Sequence, residues 1–480
     1  MAGTAALLRL GGIAMLAVTV PSAAGAETAL IDAVRKYDAT AVRRLLRQKV
    51  DVNTRAGDTT ALHWAVRGND AGIVDLLLSA RADTNAANDY GVTPIMLACT
   101  NGNAALVSRL LGAGADANAA QESGETVLMT CAHHADASSV KALLAAGANP
   151  NARERLQHQT ALMWAVAAGR TDSVGLLLER GATVSARTLV RTEHVRDSTA
   201  RSVRGGAVPT VPNPIGGFTP LLFAARHGAV GAARLLLDAG ADANDKAADG
   251  MSALIVAAQS NHGSLAMLLL ERGANPNGAD VGYAAMHAAI LRADVGLVKA
   301  LLARGADPNA VITRGNPPRR YGYQWDISMN NVGATPFLLA ARFGAPEIMR
   351  LLADAGADPL RSLPSTGATP LMMAAGIGWN PPDDLGDSGA DRRGRVLARD
   401  RMFAEWDDEE RWLATVNMAL AFKPDVHARS TTGDTAVHAA ARLGLTRVVD
   451  LLVSQGARLD LANAQGHTAE MLLKRGRPRR

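Results

Sequence analysis

A phrase that recurs at near-constant intervals constrains this chain more than any other feature. It is written Thr60-Ala-Leu-His63, Thr93-Pro-Ile-Met96, Thr126-Val-Leu-Met129, Thr160-Ala-Leu-Met163, Thr219-Pro-Leu-Leu222, Ser252-Ala-Leu-Ile255, Ala284-Ala-Met-His287, Thr335-Pro-Phe-Leu338, Thr369-Pro-Leu-Met372 and Thr435-Ala-Val-His438, with Thr468 opening a truncated copy. Most openings follow the previous one at a period near 33, as 60 to 93, 93 to 126, 219 to 252 and 435 to 468 do. The large departures, 160 to 219, 284 to 335 and 369 to 435, are all longer, so they read as insertions into one repeat. Each part of the unit has a mechanical reason. Thr or Ser offers a hydroxyl to an unpaired helix N–H, Pro suits the first helical turn, and a Leu-x-x-Ala-Ala core makes a short helix with a thin face. A second helix follows, as at Leu235–Leu237, and Gly240 stops it. Asp242 and Asn244 suit the tight loop beyond. Neither helix exceeds about ten residues, so neither is stable alone; stability must come from stacking on neighbours. Hydrophobic residues make up 48% of the chain and aromatics only 4%, so Ala and Leu fill this core and layers pack closely.

The period, the Thr-Pro-Leu-His-like opening and the Gly-Ala-Asp-x-Asn close resemble the ankyrin repeat. The resemblance covers roughly residues 28–476 in about eleven copies. It implies an all-α solenoid of helix-turn-helix units with hairpin-like loops, here with three inserts. It also implies a non-catalytic scaffold that binds a protein partner. His63, His287 and His438 alone carry the motif histidine, where the resemblance implies local backbone hydrogen bonding. Residues 27–57 read as an N-terminal capping repeat, with Arg35, Lys36 and Asp38 where inner copies are apolar. Repeats occupy 58–185, 218–310 and 333–376, and the last repeats, a C-terminal cap and a basic tail occupy 409–480.

The inserts lie at 186–217, 311–332 and 377–408. The first is Pro- and Gly-rich and is expected to be an extended or disordered finger. The third begins Trp379-Asn-Pro-Pro and splits one repeat between its two helices; a degenerate hidden repeat starting at Met402 is the alternative. Tyr321, Tyr323, Trp325, Trp379, Phe403, Trp406 and Trp412, seven of 17 aromatics, fall in or beside the last two inserts. Disordered linkers are aromatic-poor, so these inserts are expected to fold onto the stack. Tyr321, Tyr323, Trp325 and Trp406 become partner anchors under that reading, or simple local packing.

Residues 1–26 read as a secretory signal. Arg9 precedes the apolar run Leu10–Val20, and Ala24-Gly25-Ala26 supplies small residues at the cleavage point. The run is short for a membrane span, although an uncleaved anchor is the alternative. The expectation is an exported monomer, periplasmic or secreted, starting near Glu27 with no transmembrane segment. Only Cys99 and Cys131 are present. Layers about 10 Å apart against the roughly 7 Å reach of a disulfide predict two buried free thiols. The formal charge is +5, with basic runs at Arg187–Arg204, Arg314–Arg320 and Lys474–Arg480. These are read as solvated surface; a nucleic-acid role is disfavoured, and polyanion or cell-envelope polymer binding is kept as an alternative.

No catalytic, metal or cofactor constellation emerges, and no small-molecule substrate is implied. His133 and His134 are adjacent and so do not share a helix face. Leu363-Pro-Ser-Thr-Gly367 matches a cell-wall sorting signal but is internal, and is read as the loop before a repeat. Asp383, Asp384 and Asp387 lack calcium-loop spacing. An enzyme with chemistry in 377–412 is the remote alternative. Partner binding is assigned to the positions that close each first helix: Arg67, Asn101, His133, His134, Arg226, His227, Gln259, Arg292, Arg342, Phe343 and Arg442. Behind them Trp64, Leu97, Trp164, Phe223 and Leu339 form a partly buried row.

Overall fold

The computed structural model describes residues 23–196, 210–315, 331–377 and 409–475. The chain separates into two compact units, Met1–Asn149 and Pro150–Arg480. The first contains helices α1 (Ala23–Arg35), α2 (Ala39–Arg47), α3 (Ala61–Arg67), α4 (Ala71–Ser79), α5 (Pro94–Thr100), α6 (Ala104–Gly112), α7 (Val127–His134) and α8 (Ala137–Ala145). The second contains α9 (Ala161–Ala167), α10 (Thr171–Glu179), α11 (Pro220–His227), α12 (Val230–Asp238), α13 (Ala253–Gln259), α14 (Gly263–Glu271), α15 (Ala285–Leu291) and α16 (Val295–Ala303). It continues with α17 (Pro336–Arg342), α18 (Pro346–Asp354), α19 (Pro370–Ala374), α20 (Glu409–Leu420), α21 (Ala436–Leu443), α22 (Thr446–Ser454) and α23 (Ala469–Arg475). Helix α1 begins at Ala23, so cleavage after Ala26 would trim its first turn; residues 1–22 of the expected signal lie outside the described residues.

Odd-numbered helices up to α19 open each repeat and the even-numbered ones return. The Thr, Ser and Pro readings hold at most opening helices; Thr93 Oγ1 caps nothing, the Thr60 and Thr435 hydroxyls bond the motif histidine, and Ala284 has no hydroxyl. Oγ1 of Thr219, Thr335 and Thr369 accepts from the N–H of Leu222, Leu338 and Met372 at 3.3–3.4 Å, and Pro94, Pro220, Pro336 and Pro370 occupy the first turn. Return helices are capped by Asp70, Asn103, Asp136 and Asp294. The buried layer is built from small and medium side chains: in one repeat Leu221, Leu222, Ala224, Ala225, Ala232, Ala233 and Leu236 are all buried.

Stacking proceeds opening helix on opening helix. In the first unit α1, α3, α5 and α7 pack in sequence, and in the second α9, α11, α13, α15, α17, α19, α21 and α23 do so. The α9–α11 and α15–α17 contacts span the first two inserts, so neither insert interrupts the layer. Helix α20 packs on α19 and fills the return layer between α18 and α22. Residues 378–408 between α19 and α20 lie outside the described residues.

Two expectations are corrected. Cys99 and Cys131 form a disulfide, with Cα atoms 4.6 Å apart. Helix-axis separation is not Cα separation: each Cα stands about 2.3 Å off its axis, so facing Cα atoms on axes roughly 9 Å apart lie between about 4 and 5 Å. Ala98 and Ala132 beside them are fully buried and keep the helices close. The first insert, expected to be extended or disordered, carries an antiparallel hairpin of β3 (Arg191–Arg196) and β4 (Thr210–Ile215), with Arg191 opposite Ile215 and Arg196 opposite Thr210. (The strands β1, Arg55–Ala56, and β2, Thr59–Thr60, form a much smaller hairpin in the first unit.) The base of the large hairpin is tied down. Thr188 N–H donates to Phe218 O at 3.0 Å, Leu189 N–H to Gln157 O at 2.8 Å, and Ala248 N–H to Gly216 O at 3.0 Å. Gly216 has φ +92°, and a Cβ there would sit 2.1 Å from Leu189 O, so only glycine fits.

Candidate functional site at the ends of the opening helices

The proposed partner-contacting residues sit in or just beyond the last turn of an opening helix. A cation there faces the negative end of the helix dipole, which explains why Arg67, Arg226, Arg342 and Arg442 are tolerated in such short helices. In the first unit Arg67, Asn101 and His134 are exposed and His133 is half-buried. The Arg67 guanidinium stands 5.5 Å from the centre of the Trp64 ring. Asn101 is tied to the preceding repeat, its Nδ2 donating to Val66 O at 2.8 Å. The His133 and His134 rings meet edge-on at 4.4 Å.

In the second unit Arg226, His227 and Arg442 are exposed, and Gln259, Arg292 and Phe343 are half-buried. Four side chains form one platform beside the hairpin base. Phe218 and Phe223 meet edge to face at 5.9 Å, Phe223 stacks on His227 at 6.3 Å, and the Arg226 guanidinium lies 5.6 Å from the Phe218 ring centre. His262 Nε2 donates to Arg226 O at 3.2 Å. Burial lowers the His227 pKa from its ordinary value, and the charges of Arg226 and His262 lower it further. At neutral pH the cation of this platform is therefore Arg226. Arg292 donates to Gln259 O, and Gln259 Nε2 donates to Tyr283 Oη at 2.5 Å. Burial brings the Arg292 pKa down to about 10. Arg442 pairs with the buried Asp434 at 2.9 Å.

Arg342 departs from the expected surface role: only 8% of it is exposed. The end of α17 is covered by α20, whose Arg411 donates from Nε to Gly344 O at 2.8 Å. Leu339, expected to be partly buried, is fully so, whereas Trp64, Leu97, Trp164 and Phe223 are half-buried. Tyr321, Tyr323, Trp325 and Trp406 lie outside the described residues, as do Asp383, Asp384, Asp387 and the tail beyond Arg475. Of the basic run from Arg187, two members are internal fasteners. Arg187 donates to Gly217 O at 2.9 Å, to Lys246 O at 2.8 Å and to the Asp245 carboxylate, and Arg191 donates to Leu156 O.

The motif histidines make the local bond the sequence implies, and a second one it does not. His287 Nδ1 accepts from Ala284 N–H at 3.1 Å while Nε2 donates to Ala310 O, also at 3.1 Å, in the following loop. His63 and His438 repeat the pattern toward Val92 O and Leu461 O. A second unforeseen set is the asparagine at each repeat's close. Asn277 Oδ1 accepts from Asp307 N–H at 2.7 Å and its Nδ2 donates to Gly305 O at 2.9 Å. Asn85 and Asn118 do the same in the first unit, and Asn309 reaches Asp358 and Gly356 across the second insert. The return of asparagine once per repeat, at Asn85, Asn118 and Asn151 and again at Asn244, Asn277 and Asn309, was the available signal. Among the described residues no group of three His, Cys, Asp or Glu side chains is placed to hold a metal, and no helix is long and apolar enough to cross a membrane.

A family model described as ankyrin repeats in three copies matches residues 12–88, 30–121, 70–154, 95–188 and 221–312, and one for a single ankyrin repeat matches 332–362 and 432–465. Together these matches cover more than half of the chain. The chain is an ankyrin-repeat protein. Ankyrin repeat domain-containing protein 37 of Xenopus tropicalis is 31% identical over 104 residues, which is 22% of this chain and 55% of that protein. The ankyrin-repeat protein thus spans about half the length of that curated relative. The crystal structure of the human ASB11 ankyrin repeat domain is 29% identical, with a TM-score of 0.40, and the match covers 52% of this chain and 98% of that one. Ankyrin repeats generally mediate protein–protein interaction and are typically scaffolds without catalytic activity.

Proposed function

We propose that this ankyrin-repeat protein is an exported scaffold that captures an acidic or mixed protein surface through the ends of its opening helices. The observation that carries the reading is the exposed arginine set against a half-buried aromatic at that position in both units: Arg67 on Trp64, and Arg226 on Phe218 beside Phe223. Arginine and aromatic side chains dominate binding energy where interfaces are measured. Most of the remaining repeat positions serve the stack and are unavailable. Export is supported by the signal-like N-terminus and by the Cys99–Cys131 disulfide, a bond that persists in oxidising compartments.

The test is affinity capture from an envelope extract with the wild-type chain and with the Arg226→Glu/Arg442→Glu variant, each checked for folding by circular dichroism. Loss of specific captured species in the variant supports the reading. Equal capture by both contradicts it. Capture that collapses between low and moderate salt in both chains would instead favour a polyanion.

A further inference from the structure

The first unit holds a cleft of about 230 Å³ lined by Val34, Arg35, Tyr37, Trp64, Arg67 and Gly68. Two guanidinium groups enter it. Arg35 lies 4.7 Å and Arg67 5.5 Å from the centre of the Trp64 ring, so both cations address one indole. Neither guanidinium has a carboxylate or any hydrogen-bond acceptor among the described residues, and no acidic side chain lines the cleft. Trp64 itself is fixed from behind, its Nε1–H donating to Thr59 Oγ1 at 3.0 Å.

The rim is specialised as well. The residue that ends an opening helix in left-handed backbone is Gly102, Gly169, Gly228, Gly344 or Gly444 elsewhere, or Asn69, Asn261 or Ala293. At the end of α1 it is Tyr37, at φ +56° and 59% exposed. A bulky side chain is disfavoured in that conformation. Its ring closes over Gly68: a Cβ at Gly68 would lie 2.6 Å from Tyr37 Cε1. A strained aromatic, a glycine that admits it and two cations that share one indole thus converge on a single small volume.

We infer that this cleft receives the carboxylate of an Asp or Glu side chain from a peptide segment of the partner. The carboxylate would accept charge-assisted bonds from the Arg35 and Arg67 guanidinium groups, and the segment's apolar atoms would lie on Trp64 and Tyr37. The inference rests on the reading of the opening-helix ends as partner-binding and names the chemistry recognised at one of them.

The experiment titrates the full chain with acetyl-Ala-Ala-Glu-Ala-Ala-amide, with its Gln counterpart and with inorganic phosphate, following the Trp64 indole N–H by NMR. The expected result is saturable movement with the Glu peptide, binding at least fivefold weaker for the Gln peptide, and at least threefold weakening by Arg35→Gln or by Arg67→Gln. Gly68→Ala, which displaces the Tyr37 ring without changing charge, weakens the Glu peptide too. No saturable shift with the Glu peptide, equal binding of the Gln peptide, or a response to phosphate alone overturns the inference. Partner capture separates the two claims. Capture lost by Arg226→Glu but kept by Arg35→Gln/Arg67→Gln removes the cleft and leaves the scaffold reading. Capture untouched by every variant removes both.

Discussion

Lowering the pH from 7 to 4 should weaken the second unit through His287. This ring is 1% exposed and works only as the neutral tautomer protonated at Nε2: Nδ1 accepts from Ala284 N–H and Nε2 donates to Ala310 O. A second proton on Nδ1 would point one donor at another. Burial pushes the pKa down from 6.5 to about 4. The unfolded chain therefore takes up a proton near pH 6.5 that the folded chain refuses until about pH 4, and stability rises with pH across that window. The contribution is whole above pH 6.5, falls between 6.5 and about 4, and is flat below. At 1.36 kcal/mol per unit the loss is about 3 kcal/mol. Hydrogen exchange of the α15 amides, read by mass spectrometry between pH 7 and 4 and corrected for intrinsic exchange, reports it locally. His287→Leu should be less protected than wild type at pH 7, and its protection should change less with pH over the same range. Parallel pH profiles for wild type and His287→Leu would refute the argument.

Three further outcomes are expected. The Cys99–Cys131 bond joins residues 32 apart, so its reduction should cost about 3–4 kcal/mol by the loop-entropy estimate; urea melts with and without reductant measure this, and alkylation of the unreduced, denatured chain at two thiols would contradict the bond itself. Asn277→Ala removes one accepted and one donated bond to the next repeat and should lower stability by about 1 kcal/mol, with exchange rising at Asp307; unchanged protection there would show that the ladder is ornamental to stability. Gly216→Ala places a methyl against Leu189 O and should cost about 1–3 kcal/mol, seen as faster exchange of the Ala248 amide; equal exchange would mean that the hairpin base adjusts freely.

The fold was legible because each repeat states its own rules. Thr219 caps, Pro220 starts, Ala224 and Ala225 thin the face, and Gly240 stops the return helix, and those roles are local. What escaped the sequence is what one repeat does to the next. The disulfide depended on facing Cα distance rather than axis distance. The second bonds of His63, His287 and His438, and the bonds of Asn85, Asn118, Asn277 and Asn309, reach a partner 23 to 49 residues away. Arg187 looked like solvated charge and proved to be a fastener because its acceptors, Gly217 and Lys246, lie beyond an insert. The site positions were legible as a register along the opening helices. Which of them remain open was not: Arg342 is covered by α20, a helix that follows the third insert, and nothing in its own repeat announces that.

The proposed partner meets the ends of the opening helices rather than the return-helix face. Photo-crosslinking tests it directly, with a photoreactive side chain placed singly at Arg67, Arg226 and Arg442, and at the exposed return-helix positions Arg234 and Glu271. Captured proteins are expected to become covalently attached from the first set and not from the second. Attachment from Arg234 and Glu271 alone would contradict it.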